Sequence, residues 1–439
     1  MLSEQENELL THVGPGTPMG ELLRQYWLPL LLSTELRERD GRPKRVRLLG
    51  EDLIAFRDSE GNAGLLANNC PHRGASLFFG RNEERGLRCV YHGWKFDVSG
   101  SCVDMPNEPP ESNFKDKVRA RAYPCRERNG IIWTYMGPRD EPPQLPELEL
   151  ATVPETHRWI RPSVRECNWV QALEGDLDSA HSSFLHSVLR TEDLGTHHTD
   201  RYTGDKPRFD VVETDYGVMI GVRRTPDAEH FHWRISQFVA PIFTMFPPTG
   251  QGTETIPGHI WIPIDDETTL VWSFAWHPSR PIGEDEPFRR NSAGRRDGRV
   301  FGDAEGYLPA TTAAAGEWRF AANRSNDFML DYDAQKQSRF SGVPTVTLQD
   351  SAMTTSMGAV TNRPNEHLGS TDAGIIRMRR FLLRAMRALQ EQGATPAAVD
   401  DPSLFRVRSA SGLLPRNVPW LEGSKDWVVA RPDLPVVSV

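Results

Sequence analysis

Short apolar runs broken by turn residues fill the first third of the chain. RVRLLGEDLIAFRD (45–58) places apolar residues on both sides of Gly50, Glu51 and Asp52, which predicts two strands around a tight turn. A second turn is predicted at 59–62. FDVSGSCV (96–103) predicts a hairpin with Ser99-Gly100 at its tip, and ERNGIIWTYMG (127–137) a strand pair around Asn129-Gly130. The proline-rich GPRDEPPQLPELE that follows reads as a crossover between domains.

Beyond it the periodicity changes. CNWVQALEGDLDSAHSSFLHS (167–187) predicts a helix, and strand-like stretches follow at 208–224, 232–247 and 268–278. Residues 281–325 are rich in Gly, Arg, Asp and Ala without clear period, and read as a long loop or partly mobile lid. A last helix is predicted from Asp372 to Gln390. Its Arg377, Arg380, Arg384 and Arg387 share a face, read as solvated or intersubunit. These elements predict an α+β chain with a β-rich unit over 1–150 and a mixed unit over 151–439. The 439 residues suit two domains.

Composition narrows the function classes. A net charge of -9 offers no general attraction to nucleic acid or to an anionic membrane. The densest early apolar run, Trp27 to Leu32, is far too short to cross a bilayer, and the polar N-terminus does not resemble a secretory signal. A soluble, cytoplasmic protein is expected. Five cysteines in a chain this long argue against a disulfide scaffold.

Two of those cysteines belong to a metal-ligand pattern. Cys70-x-His72 is followed, after sixteen residues, by Cys89-x2-His92. Structural zinc and a Rieske [2Fe–2S] cluster both use two cysteines and two histidines. Common zinc fingers pair Cys with Cys and His with His along the chain. Here each loop supplies one of each, which suits a two-iron cluster gripped between two loops. Gly74, Gly80 and Gly93 supply the tight backbone such loops need.

A cluster of this kind moves single electrons, so substrate chemistry needs a second centre. Gln171, Glu174, Asp178 and His181 are spaced 3, 4 and 3, which predicts one face of one helix. His186 lies five residues beyond His181, so sharing a metal requires the helix to end or bulge between them, for which Ser182 and Ser183 are suitable places. Two histidines and a carboxylate form the facial triad of non-haem Fe(II) oxygenases. Asp327, Asp331, Asp333 and Asp350 are candidate third ligands, and spacing does not choose among them.

CPHRGASLFFGR…LRCVYHGWKFD resembles the Rieske motif of aromatic-ring-hydroxylating oxygenases. The resemblance spans nearly the whole chain and is closest to the phthalate dioxygenase-like subfamily, which VGPGTPMGELLRQYW (13–27) and EHLGSTD (366–372) also resemble. It implies an all-β Rieske domain and a helix-grip catalytic domain, an antiparallel sheet with helices. It implies cluster ligands Cys70, His72, Cys89 and His92. Through the family's E-x3-D-x2-H-x4-H motif it implies iron ligands His181 and His186, with Asp178 bridging to His92 of a neighbouring subunit. VTLQDSAMTTSMG (346–358) resembles the segment whose Asp binds iron, which selects Asp350; Thr355 stands where that pattern has Glu. Asp331 and Asp333 are then expected to cap or neutralise a loop.

The implied protein is the terminal oxygenase (alpha) subunit of a dioxygenase or monooxygenase. It would carry a Rieske cluster and mononuclear Fe(II), and consume O2. It would draw NAD(P)H electrons through a reductase with flavin and a [2Fe–2S] centre, and assemble as a homotrimer or stacked trimers. Phthalate-, phenoxybenzoate- or benzoate-like acids are the implied substrates. Such acids need a cationic partner, for which Arg208 and Arg234 are candidates, beside possible pocket residues Phe243, Met245, Phe246 and Trp272. The alternatives are a Rieske oxygenase or demethylase acting on another substrate and a Rieske electron-transfer protein.

Overall fold

The structure, a computed structural model, describes residues 2–187, 206–247, 254–283, 295–296, 299–300 and 306–438. The chain opens with α1 (Glu4–Thr11) and α2 (Pro18–Arg24). Ser3 and Glu6 close a capping box on α1, and Thr17 caps α2 with Pro18 in its first turn.

Three small antiparallel sheets follow. β1 (Trp27–Leu32) pairs with a strand from the end of this region. β2 (Lys44–Leu48), β3 (Glu51–Arg57) and β4 (Ala63–Ala67) build a second sheet, and β5 (Arg81–Glu83), β6 (Gly86–Arg88), β7 (Lys95–Phe96) and β8 (Cys102–Asp104) a third. β9 (Ala122–Tyr123) completes the second sheet, while β10 (Cys125–Arg128) and β11 (Ile131–Tyr135) complete the first. The predicted hairpins are present. Two have two-residue turns with both residues at positive φ, Leu49-Gly50 and Asn129-Gly130, the twist that suits tight hairpins. β3 is buried on both faces. Leu53 and Ala55 enter the main core, while Ile54 and Phe56 join Leu66, Leu87, Phe96, Cys70 and Cys89 in a separate small core. That small core is the floor of the two Cys–His loops.

The second part is one larger antiparallel sheet. Its strands are β12 (Arg158–Arg165), β13 (Arg208–Thr214), β14 (Gly217–Arg224), β15 (His230–Val239), β16 (Phe243–Met245), β17 (Ile256–Pro263) and β18 (Thr269–Trp276), in the order β12-β18-β17-β16-β15-β14-β13. β19 (Arg295–Arg296) and β20 (Arg299–Val300) form a separate short pair, and β21 (Ala410–Pro415) pairs with the first part of β15. The stretch 208–224 is thus a hairpin rather than one strand. β17 escaped the pattern reading because two prolines and a glycine interrupt IPGHIWIP.

Among the described residues, five helices complete this part: α3 (Trp169–Leu177), α4 (Tyr332–Gln337), α5 (Val346–Ser356), α6 (Ala373–Gln392) and α7 (Trp420–Gly423). α3 lies on β15–β17, and α6 lies on β13 and β14. α1 and α2 also pack on α6, so the first residues of the chain sit in space with its last long helix. α6 runs two residues past its predicted end at Gln390 and stops at Gly393, in the left-handed region, whose N–H donates to the Leu389 carbonyl. Of the loop expected at 281–325, residues 284–294, 297–298 and 301–305 lie outside the described residues. The described end is anchored rather than loose: the Tyr307 ring stacks on Phe320, and its hydroxyl donates to the Pro162 carbonyl. No helix among the described residues is long and apolar enough to cross a membrane.

A buried ion cluster joins α3 to its neighbours. Glu174 accepts from Arg379 at 2.6 Å and from Arg363 at 3.2 and 3.3 Å. Arg379 also forks onto Glu366, and Arg363 reaches Asn7 of α1. Glu174 is held below its ordinary acidity range because the two guanidinium groups outweigh the burial that would raise it. Glu174→Gln would strand buried positive charge. It is expected to lower unfolding stability by about 3–5 kcal/mol, read from denaturant titration against wild type.

Candidate metal centres

The two Cys–His loops are local repeats of one backbone design. In the first, the Cys70 N–H donates to the Ala75 carbonyl and the Gly74 N–H to the Cys70 carbonyl. In the second, the Cys89 N–H donates to the Trp94 carbonyl and the Gly93 N–H to the Cys89 carbonyl. Gly74 and Gly93 both have φ near +80°, which favours glycine at the fourth position after each cysteine.

Both cysteines are buried against the small core, and the histidines lie nearer the surface. Burial pushes the Cys70 thiol up to about 11, with the adjacent Cys89 adding to it against a backbone hydrogen bond at His72. The His72 and His92 rings meet edge to face at 4.4 Å, and His72 stacks on Trp94 at 4.2 Å. His72 Nδ1 is buried without a hydrogen-bond partner. An orphaned ring nitrogen beside two buried thiols fits a cluster ligand and leaves a buried cost otherwise.

The second centre forms where α3 stops. The helix ends at Leu177, before the serines expected to break it, and Asp178 takes extended angles of φ -92° and ψ 100°. The cause is local: Asp178 Oδ1 accepts from the Ala180 N–H at 2.7 Å, a side-chain turn that competes with the helix. His181 begins a short 3-10 turn, His181–Ser183. The expected single face of four residues is therefore corrected. Gln171 and Glu174 belong to the helix and point into structural contacts, whereas Asp178 and His181 lie beyond it. Gln171 ties α3 to α5 and the turn after it, through the Thr354 and Gly358 carbonyls and the Thr361 N–H.

His181, His186 and Asp350 bring ligand atoms within 4.8 Å of one another. The two Nε2 atoms stand 3.1 Å apart, and Asp350 Oδ1 is 3.6 Å from that of His181 and 3.3 Å from that of His186. Ligands about 2.1 Å from one ion and at right angles to each other stand about 3 Å apart, so these three fit a shared metal. Burial would raise the Asp350 carboxyl, but His186, His181 and Arg165 outweigh it and hold it low. Burial would lower His181, and Asp178, Asp350 and Asp176 reverse this and favour its charged form. The direction for His181 reflects the carboxylates gathered around it.

Two supporting contacts orient the rings. Asp178 Oδ2 lies 3.4 Å from His181 Nδ1. His186 Nδ1 lies 2.7 Å from Gln349 Oε1, and Gln349 is itself fixed by the Val343 carbonyl. Gln349 escaped the sequence reading; its one signal was its place beside Asp350. Of the other aspartates, Asp331 caps α4 and Asp327 and Asp333 are exposed. Thr355 is buried beside Cys167.

The expected pocket residues divide between the two faces of the large sheet. Arg208 is exposed and pairs in register with Arg223, one residue out of phase with the Phe209–Val222–Arg234 row that faces α6. It therefore stands on the opposite face, because a one-residue step reverses a strand side chain. Arg234 shares the α6 face. Phe243, Met245 and Trp272 point away from α3, whereas Phe246 packs on the His259 ring.

Comparison with known proteins identifies the family. Residues 26–124 match the Rieske [2Fe-2S] domain, and residues 134–433 match the family described as LigXa C-terminal domain like. The 3-chlorobenzoate-3,4-dioxygenase oxygenase subunit of Comamonas testosteroni is 41% identical, over 96% of this chain and 97% of that protein. The phthalate 4,5-dioxygenase oxygenase subunit of Pseudomonas putida is 36% identical, over 100% of this chain and 98% of that one. The crystal structure of dicamba monooxygenase bound to dicamba has the same fold, with a TM-score of 0.56 at 18% identity, covering 84% of this chain and 98% of that one. The chain belongs to the Rieske non-haem iron aromatic-ring-hydroxylating oxygenases, as an oxygenase (alpha) subunit of the phthalate dioxygenase-like group.

Proposed function

We propose that this oxygenase subunit hydroxylates an aromatic carboxylate, with Cys70, His72, Cys89 and His92 holding the cluster and His181, His186 and Asp350 holding a mononuclear Fe(II). The observation that carries the reading is the convergence of those last three side chains beside Asp178. The two relatives above are named for 3-chlorobenzoate and phthalate, both aromatic acids, which supports the substrate class. When bound, the cluster supplies electrons singly and the iron supplies the reduction of O2 that places oxygen on the substrate.

The chain's own residues do the rest. Gln349 fixes the His186 ring and Asp178 the His181 ring, so that both Nε2 atoms face Asp350. Residues 1–150 serve as the electron-receiving unit and 151–439 as the catalytic unit. Electrons come from a flavin and [2Fe–2S] reductase that oxidises NAD(P)H, which suits a cytoplasmic location.

A homotrimer, alone or stacked, brings the cluster of one protomer to the iron of the next, where Asp178 meets His92 of the partner subunit. Exposed Phe79, Val90 and Tyr91 around the Cys–His loops support such docking. So do exposed Phe184, Met353 and Met357, on the segments that carry His181, His186 and Asp350.

Metal analysis tests the two centres together. About three irons and two acid-labile sulfides per chain are expected, with a red-brown colour that bleaches with dithionite; zinc without sulfide would overturn the reading. Gln349→Leu is expected to weaken mononuclear iron binding by about 10- to 100-fold while the Rieske spectrum stays. Asp178→Asn is expected to keep both metals and lower turnover by about 10- to 100-fold, measured with reductase and substrate in excess. Unchanged turnover would remove Asp178 from the electron path.

A further inference from the structure

Strand register sorts the side chains of the large sheet. Phe238, Thr244, His259, Ser273 and Arg161 stand in one row across β15, β16, β17, β18 and β12. Thr244 and His259 both bond Asp176, in the last turn of α3, at 2.5 and 2.7 Å. This row therefore marks the face turned toward the metal-binding segment. Trp261 lies two residues past His259 on β17, and Arg165 lies four residues past Arg161 on β12, so both share that face.

These residues form a continuous strip. The Arg165 guanidinium lies 5.1 Å from the centre of the Trp261 ring, and the His259 ring lies 5.0 Å from Trp261. Trp261 donates to Thr244 at 2.8 Å, which fixes its plane. Arg165 retains 5% exposure. Among the described residues its guanidinium has neither a hydrogen-bond nor an ion-pair partner; its one close interaction of this kind is the face of Trp261. None of its nitrogens is both sealed from solvent and orphaned, so the group opens onto a space that water reaches. Its charge is also one of those holding the Asp350 carboxyl low against burial.

Such a group is costly to leave as it is. A buried cation with no anion in direct contact forfeits hydration, and stacking on an aromatic face returns only part of it. Stacking also leaves the guanidinium edge unused. That edge is a planar fork of donors matched to the two oxygens of a carboxylate.

We propose that Arg165 is the carboxylate anchor of the substrate pocket, receiving the acid group of the aromatic substrate on its guanidinium edge. The assignment rests on the aromatic-carboxylate reading above and deepens it. It places the anchor on β12, directly before α3, and not on the exposed Arg208. His259, held by Asp176 on the other side of Trp261, is the second polar group of the same wall.

The test is binding of 3-chlorobenzoate and phthalate, and of their neutral carboxamides, to the intact iron-loaded oxygenase by calorimetry. Wild type is compared with Arg165→Gln and Arg165→Lys, each first shown to keep the Rieske spectrum and wild-type iron content. Arg165→Gln is expected to weaken binding of the acid by about 10- to 100-fold and of the carboxamide by less than about 3-fold, with Arg165→Lys between wild type and Gln for the acid. Equal losses for acid and carboxamide, or no loss, would overturn the anchor and leave the substrate class standing. A wild type that binds neither these acids nor any of a panel of substituted benzoates would overturn the substrate class, and the anchor with it.

Discussion

The position of the candidate metal centre depends on one buried carboxylate. Glu174 is enclosed between Arg363 and Arg379, and those arginines extend to α1 and to Glu366. Removing such charges from water is expensive, so the cluster is stable only with every member in place. That requirement makes it a register device. It joins α3, the 363–366 segment, α6 and the N-terminus at one point, one turn before Asp178. Gln171 adds a neutral tie from the same helix to α5, which carries Asp350. The two sources of metal ligands, far apart in sequence, are thus fixed to each other through the first two turns of α3.

The helix then has to stop. A continuous helix would carry His186 away from His181, since five residues advance the chain by well over one turn. Asp178 ends it by taking the Ala180 N–H on its side chain, and its second oxygen approaches His181. One residue thereby performs two tasks, ending the helix and orienting the first histidine. Phe184, exposed between the two histidines, is left facing outward by the same turn. Such an apolar residue on the rim of a polar centre has a physical purpose if a neighbouring protomer covers it.

How much of this was legible in the sequence follows the range of the interactions. The Cys–His loops are built from residues within one hairpin span of each other, and their spacing alone separated a shared cluster from a common zinc finger. The tight turns at Leu49-Gly50 and Asn129-Gly130 were equally local, and both lie at or beside the predicted places. The mononuclear centre was legible only in part. Asp178, His181 and His186 were visible by spacing, but the helix break was expected later, because a side chain's competition with the helix leaves no periodic trace. Asp350 was chosen by resemblance, since no spacing rule spans the residues between it and His186. Gln349 and Arg363 act across comparable separations; Arg363 gave no signal, and Gln349 only its place beside Asp350.

Strand faces were the least legible feature, for a reason of geometry. Arginine at any position of a strand looks the same in sequence, yet a shift of one residue carries it from one side of the sheet to the other. Arg208 is in a well-formed strand and still points away from α6, because Phe209 takes the inward position. Arg165 had no distinguishing mark, standing in RPSVREC just ahead of the helix signal. Its meaning appears only when β12, β18 and β17 are aligned and Trp261 is found beneath its guanidinium. A fold with the metal held by the segment after α3 and by α5 can therefore change substrates through alternate strand positions, without disturbing the buried charges that hold these elements in place.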